Sequence, residues 1–197
     1  MLQANYGPSF LAHQEGKKRG YDQILWLLGE DSKVTEAGAS NFFIILRTSS
    51  GDHELITAPL DSKIILAGIT RQSVLDLARE RFVANSSHLD SNTTALTVVE
   101  RNFTMEEVVQ ASKDGKIVEA FVSGTAFFIT PVSVICYKDE DVNIPMASDG
   151  ATGFYAKKIR DWLTDIKYGN VQHEWGVVVE EDEWGRSYGV RVMIEFM

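Results

Sequence analysis

Two short turns in this 197-residue chain carry residue types suited to binding an anion. Residues 68–70 (Gly-Ile-Thr) precede a segment with helical spacing, and a helix N-terminus combines free backbone amides with partial positive charge. Residues 123–126 (Ser-Gly-Thr-Ala) offer a second turn, where glycine permits close approach of the backbone to a bound group. Both turns would suit a phosphate dianion. The alternative is that each is an ordinary turn between two elements.

A carboxylate and a phenol could supply further chemistry. Glu36 lies within Thr-Glu-Ala-Gly at residues 35–38, and a buried carboxylate can keep a facing ring nitrogen protonated. Tyr6 lies within Asn-Tyr-Gly-Pro at residues 5–8. Taken alone, a glutamate in a strand is ordinarily a surface residue, and a tyrosine is ordinarily a core or rim residue.

Taken together, residues 5–8, 34–41 (Val-Thr-Glu-Ala-Gly-Ala-Ser-Asn), 66–71 (Leu-Ala-Gly-Ile-Thr-Arg) and 123–126 resemble the branched-chain amino acid aminotransferases. These are pyridoxal phosphate (PLP) enzymes of fold type IV. The resemblance implies an α/β fold of mixed α+β type, with a mixed sheet or pseudo-barrel flanked by helices. It also implies that residues 1–175 form the C-terminal cofactor-binding domain. Residues 176–197 would then be a divergent tail.

The resemblance assigns roles to individual residues. Glu36 would keep the pyridine nitrogen of PLP protonated, the Tyr6 phenol would bind the cofactor's phenolate oxygen, and the turn at residues 68–70 would hold the phosphate. Ala39 lies close to the substrate side. The full cofactor-binding set is Tyr6, Glu36, Ile69, Thr70 and Thr125, and the substrate-binding set is Ala39, Thr125 and Ala126.

The chain departs from the family pattern at several positions. The family has a lysine immediately before the residue that matches Leu2, and this lysine forms the Schiff base with the cofactor. Met1 occupies that position, and a thioether cannot form an imine, so the sequence contains no catalytic residue of this kind. The family's smaller N-terminal domain is also not in the sequence. Ala67 replaces the usual proline, and Ala39 and Ser40 replace threonine and methionine.

The implied reaction transfers the amino group of leucine, isoleucine or valine to 2-oxoglutarate, in housekeeping or in secondary metabolism. Its partners would be a small amino acid and a 2-oxo acid, and family members pair as homodimers. One alternative is a truncated, non-catalytic domain that binds PLP or associates with a full-length homologue as a regulator. Another is a truncated relic that does not fold stably.

Composition excludes several classes of function. Twenty-eight acidic against nineteen basic residues give a net charge of −9, which argues against nucleic acid or an anionic membrane as partner. Cys136 is the only cysteine, which indicates a reducing compartment, and the four histidines lack ligand spacing, so we expect no metal. No apolar stretch reaches the roughly 18 residues of a membrane span. We expect an intracellular protein of the cytoplasm or mitochondrion.

Apolar periodicity and turn residues predict helices at about residues 8–19, 70–81, 104–113 and 153–168. Thr70 is the expected cap of the second helix, and Thr104 and Glu107 form a capping box for the third. The fourth has an apolar stripe expected in the core, formed by Ile159, Trp162, Leu163 and Ile166.

Predicted strands cover about residues 24–27, 41–46, 54–57, 117–122, 126–130 and 132–137, and the first is expected to be buried. The Gly51 turn predicts a hairpin between the second and third strands. Residues 83–94 are polar and read as a surface insertion. Residues 177–179 and 190–196 are expected to pair as a hairpin, and the alternative is an appended sequence from an altered gene end.

Overall fold

The computed structural model describes residues 7–61, 63–84, 86–88, 93–126, 128–148 and 150–176. The chain divides into two compact units, Met1–Leu163 and Thr164–Met197. Met1, Tyr6 and the tail from residue 177 lie outside the described residues. The predicted tail hairpin and the domain boundary at residue 175 therefore remain predictions.

Five strands of the main sheet come from the first half of the chain. They are β1 (Leu25–Leu28), β2 (Lys33–Ala37), β3 (Ser40–Arg47), β4 (His53–Thr57) and β5 (Leu96–Glu100). The pairs β1–β2, β2–β3 and β3–β4 are antiparallel, whereas the pair β4–β5 is parallel. The sheet is mixed, as the sequence predicts.

Two further strands of the main sheet come from the second half of the chain, within the described residues. Strand β6 (Ile117–Gly124) pairs antiparallel with the free edge of β3, and β7 (Phe128–Pro131) pairs antiparallel with β6. Strands β8 (Val134–Tyr137) and β9 (Glu140–Asn143) form a separate two-stranded sheet. Strand β3 therefore has neighbours on both sides, which explains why residues 41–45 are all buried.

Four α-helices lie close to the predicted positions. They are α1 (Phe10–Lys18), preceded by a 3₁₀ turn at Gly7–Ser9, then α2 (Ile69–Arg81), α3 (Met105–Lys113) and α4 (Phe154–Lys167). Helix α3 ends just before Asp114 and Gly115, and Gly115 adopts the φ of 64° that favours glycine after a helix. Ile159, Leu163 and Ile166 of α4 are buried, as predicted, whereas Trp162 is only partly buried.

Alternation along β3 divides the main sheet into two faces. Phe42 and Ile44 point to one face and belong to a core cluster with Met105 and Val108 of α3. Asn41, Phe43 and Ile45 point to the other face. There, Phe43 stacks on its cross-strand partner Phe121, with ring centroids 5.0 Å apart.

Three local expectations are corrected by the structure. Strand β1 is not buried, because Leu27 and Leu28 are 39% and 40% exposed. Only half of the capping box forms: the Thr104 hydroxyl accepts from the Glu107 N–H at 3.2 Å, but the Glu107 carboxylate binds the Arg101 guanidinium instead. Thr70 does not cap α2, which begins one residue earlier at Ile69.

Candidate functional site

Glu36 lies at the end of the β2–β3 hairpin, in register with Asn41. Its Oε1 accepts two hydrogen bonds, one from Asn41 Nδ2 at 3.1 Å and one from the backbone N–H of Leu66 at 3.0 Å. Burial raises the pKa of Glu36, and the hydrogen bond from Leu66 acts in the opposite direction. No charged side chain among the described residues contributes to this shift.

The two oxygens of Glu36 differ in their environment. Oε1 is held by the two donors described above, whereas Oε2 accepts no hydrogen bond from the part of the chain that the structure describes. A carboxylate held in this way has one oxygen that fixes its orientation and one that can accept from a further donor. A protonated ring nitrogen is such a donor.

The loop before α2 lies against this hairpin. Asn41 Nδ2 also donates to the carbonyl oxygen of Leu66 at 3.0 Å, and the N–H of Gly68 donates to the same oxygen at 2.9 Å. A Cβ at position 68 would overlap with Asn41 Oδ1. Gly68 is therefore needed here for close approach, since its φ of −67° is accessible to any residue.

The start of α2 is an uncapped helix N-terminus. Gly68 is the N-cap residue and has no side chain, and no side chain of the described residues caps the helix. The first backbone N–H groups of a helix have no intrahelical acceptor, so those at residues 69–71 can bind an anion. The Ile69 side chain is 80% exposed, whereas Thr70 is buried.

Arg71 follows this turn, but its guanidinium group binds other residues of the chain. Its Nη2 donates to the Ala58 carbonyl oxygen at 2.8 Å and to Glu100 Oε2 at 2.7 Å. Its guanidinium charge is therefore compensated by Glu100. The anion-binding character of the turn then comes from the backbone amides.

The end of β6 reaches the same place from the other side of β3. Ser123 is the register partner of Asn41, and a Cβ at Gly124 would lie 3.0 Å from Ser40 Oγ. Ser123 Oγ is buried and has no hydrogen-bond partner among the described residues. An unpaired buried hydroxyl is unfavourable, so a hydrogen bond between Ser123 Oγ and a polar group bound nearby would be stabilising. Thr125 and Ala126 follow in an exposed turn.

The structure thus brings Glu36, the turn at residues 68–70 and the end of β6 together around Asn41. Ala39 lies in the exposed turn between β2 and β3. Tyr6 lies outside the described residues. The cofactor and substrate roles of these residues stay predictions.

Sequence reasoning gave no role to Asn41, Leu66 or Ser123. A signal was present for Asn41, which is a polar residue directly before the apolar run Phe-Phe-Ile-Ile-Leu of β3. Leu66 contributes only its backbone, which no residue type reveals. The sequence places Ser123 in a turn but does not indicate that its side chain is buried.

A cavity of about 510 Å³ lies elsewhere, beside α1. Its lining includes Phe42 and Val122, whose side chains point to the opposite face of the sheet from Asn41 and Ser123. Glu36 and Thr70 do not line this cavity. The hydrogen-bonding groups at the hairpin, and not the cavity, therefore define the candidate site.

Among the described residues, no three histidine, cysteine or acidic side chains are grouped so that they could hold a metal ion. None of the helices in the described ranges combines the length and the apolar composition needed to cross a membrane.

Comparison with known proteins agrees with the fold and the motifs. Cytosolic branched-chain-amino-acid aminotransferase of Saccharomyces cerevisiae is 41% identical over 182 residues, which cover 91% of this chain and 46% of that protein. Mitochondrial branched-chain-amino-acid aminotransferase of Schizosaccharomyces pombe is 40% identical over 177 residues, which cover 89% and 39%. The chain spans less than half the length of these two relatives.

A solved structure supports the fold alone. A putative 4-amino-4-deoxychorismate lyase from Legionella pneumophila superposes with a TM-score of 0.59 at 19% identity, over 82% of this chain and 47% of that one. The family model described as amino-transferase class IV matches residues 2–135. This match covers more than half of the 197 residues, so the chain belongs to the amino-transferase class IV family.

Proposed function

We propose that this chain is the cofactor-binding part of a branched-chain amino acid aminotransferase. It would hold pyridoxal 5′-phosphate where the β2–β3 hairpin meets the start of α2. The observation that carries this proposal is the divided use of Glu36: Oε1 is fixed by the Leu66 N–H and by Asn41, and Oε2 is left to accept from a ligand.

The residues present fit this cofactor at both of its polar ends. Glu36 Oε2 would accept from the pyridine N–H, and its half-buried position would strengthen that charge pair. The uncapped amides at the start of α2 would bind the phosphate. The unpaired hydroxyl of Ser123 and the adjacent turn with Thr125 would add donors. When bound, the cofactor supplies a ring that accepts electrons from the substrate.

The substrates would be leucine, isoleucine or valine as amino donor and 2-oxoglutarate as acceptor. The names of the two aminotransferase relatives support the donor class. The amides of Thr125 and Ala126 would face the substrate α-carboxylate, and Ala39 would lie close to the substrate. Tyr6 would bind the cofactor's phenolate oxygen. A location in the cytosol or mitochondrion and assembly as a homodimer belong to the same proposal.

A second candidate function is non-catalytic binding of PLP, in isolation or beside a full-length homologue. It is favoured by Met1, which stands directly before Leu2 where the family has lysine. Without an amine at this place, the chain would hold the cofactor without a covalent bond.

Both candidate functions require that the chain binds the cofactor, and ligand binding to the purified chain tests this requirement. Pyridoxine 5′-phosphate is the suitable probe, because it lacks the aldehyde that would form imines with surface lysines. We expect saturable binding that PLP displaces, and much weaker binding of pyridoxine, which has no phosphate. Absence of saturable binding would refute the proposal.

The two candidates are separated by an assay of the leucine 2-oxo acid. The chain is mixed with PLP, leucine and 2-oxoglutarate, and is compared with a variant that has lysine inserted between Met1 and Leu2. An enzymatic role predicts that the chain itself forms 2-oxo acid at a rate well above that of free PLP. A rate for the chain equal to that of free PLP supports the non-catalytic role, and activity that appears only in the lysine-bearing variant would assign the difference to the residue before Leu2.

A further inference from the structure

We infer that Asn41 is a positioning residue that couples the carboxylate end of the cofactor site to its phosphate end. The inference rests on the proposed function, because it assigns Glu36 and the start of α2 to the two ends of one ligand. It concerns a residue that would not contact the ligand's reacting atoms and would act through Glu36 and Leu66.

The amide nitrogen of Asn41 has two hydrogens, and both are used. Nδ2 donates to Glu36 Oε1 at 3.1 Å and to the Leu66 carbonyl oxygen at 3.0 Å. The Leu66 N–H donates to Glu36 Oε1 at 3.0 Å and closes the arrangement. Three hydrogen bonds therefore join Glu36 of β2, Asn41 of β3 and Leu66 to one another. Leu66 is a loop residue 25 positions beyond Asn41.

Asn41 cannot easily move away from this position. Its backbone lies in β3 between Glu36 of β2 and Ser123 of β6, and the residue is 5% exposed. Gly68 packs so closely against Asn41 Oδ1 that a Cβ at position 68 would overlap with it. The same side chain thus touches Glu36 on one side and the N-cap residue of α2 on the other.

Other residue types could not perform both tasks. Aspartate has the shape of asparagine but no N–H donor, and it would place a second carboxylate against Glu36 Oε1. Leucine has a comparable volume but makes no hydrogen bond. In either variant Glu36 would keep only the hydrogen bond from the Leu66 N–H. The Leu66 carbonyl oxygen would lose the hydrogen bond from residue 41 of β3.

Loss of Asn41 should therefore change both ends of the site together. Glu36 would be free to rotate, so the bound ring nitrogen would lose its proton at lower pH than in the native protein. The loop before α2 would be less firmly held, so the phosphate would bind more weakly. A displacement of about 1 Å at such a site is enough to reduce its effectiveness strongly.

The test measures pyridoxine 5′-phosphate binding to the full chain and to the variants Asn41→Leu and Asn41→Asp. Two readouts are taken between pH 5 and 9: the Kd, and the ultraviolet absorbance of the bound ring, which distinguishes its protonated from its neutral form. Asn143→Leu is the control, because Asn143 is exposed on β9 and away from the site.

We expect both Asn41 variants to raise the Kd by about tenfold or more, as loss of two buried hydrogen bonds predicts. In Asn41→Leu, which adds no charge, the bound ring should also lose its proton at lower pH, which a purely structural role would not cause. The control should match the native chain. A native Kd in Asn41→Asp would overturn the inference, because aspartate supplies shape and polarity without the donors.

A variant at a different position keeps the inference testable if the Asn41 variants do not fold. Gly68→Ala leaves Asn41 in place but introduces the methyl group that overlaps with its Oδ1. We expect the same combined change in Kd and ring protonation. A change in Kd alone would show that only the phosphate end responds, and would overturn the coupling.

Failure of the inference differs from failure of the proposed function. If the Asn41 variants bind like the native chain while Glu36→Gln weakens binding, the inference is wrong and the proposed function stands. If the native chain does not bind the probe, the proposed function is wrong and the inference falls with it.

Discussion

Arg71 Nη2 lies 2.7 Å from Glu100 Oε2, and this contact joins the first turn of α2 to the end of β5. Arg71 is 1% exposed, and Arg79 Nη2 binds the other Glu100 oxygen at 2.6 Å. Burial raises the pKa of Glu100, but the hydrogen bonds from Arg79 and Arg71 outweigh it and hold the pKa below its ordinary value. The pair therefore anchors the helix whose N-terminus is the proposed phosphate site.

Glu100→Gln should lower the free energy of unfolding by about 1–3 kcal/mol, because the buried Arg71 guanidinium loses its counter-charge. The partial exposure of Glu100 keeps the loss below that of a fully buried pair. Urea unfolding at pH 7 measures the effect. Glu15→Gln is the control, since the exposed Glu15–Lys18 pair at 3.8 Å should contribute less than about 1 kcal/mol. Equal losses in the two variants would contradict the anchoring role.

Glu119 of β6 should make stability depend on pH. It is 4% exposed, and its Oε1 accepts from the Ala156 N–H at 2.6 Å, in the first turn of α4. Burial raises the pKa of Glu119 to about 7, although the hydrogen bonds from the backbone of Ala156 and Tyr155 act in the opposite direction. The folded protein therefore keeps this proton at a pH at which the unfolded chain, with an ordinary glutamate pKa, has lost it.

The sign of this effect is a loss of stability as pH rises from about 4.5 to about 7. Glu119→Gln keeps an oxygen acceptor for the Ala156 N–H but cannot ionise. The free energy of unfolding of the variant, relative to the native chain, should rise by on the order of 3 kcal/mol between pH 4.5 and 8. Denaturant unfolding of both proteins at several pH values measures this difference. Parallel curves would show that Glu119 is not responsible.

Thr104 stabilises α3 through its side chain. Thr104→Ala removes the acceptor of the Glu107 N–H and should cost about 1 kcal/mol. Ser112→Ala, within the same helix, has no cap to lose and should change stability by less than about 0.5 kcal/mol. Thermal unfolding of the two variants checks the prediction. If the two substitutions have the same effect, the cap is not a stabilising interaction.

The sequence predicts best those features whose causes are local. The Thr104 cap depends on residues three positions apart, and the helices follow from spacing along the chain. The prediction that Thr70 caps α2 is wrong, because it assumes a side-chain cap, whereas the helix starts uncapped at Gly68, which is unfavourable unless something else binds its amides. This exception to local rules falls at the proposed site.

Features that depend on distant partners were not predicted. The exposure of Leu27 and Leu28 could not be read from an apolar run, because the run does not reveal what covers it. Glu107 binds Arg101 and not the helix start, a choice decided by how β5 leads into α3. The role of Asn41 depends on Leu66, which is brought close only by the fold.

The central claim is that Glu36 faces a protonated ring nitrogen of a ligand whose phosphate lies at the start of α2. It is tested most directly by the absorbance of bound pyridoxine 5′-phosphate between pH 5 and 9, in the native chain and in Glu36→Gln. Glu80→Gln is the control, since Glu80 is exposed on α2.

We predict that the native chain and the control keep the bound ring protonated to higher pH than in the free ligand. Glu36→Gln should lose this shift and bind the probe about tenfold or more weakly. An unchanged ring protonation in Glu36→Gln, with native affinity, would contradict the account.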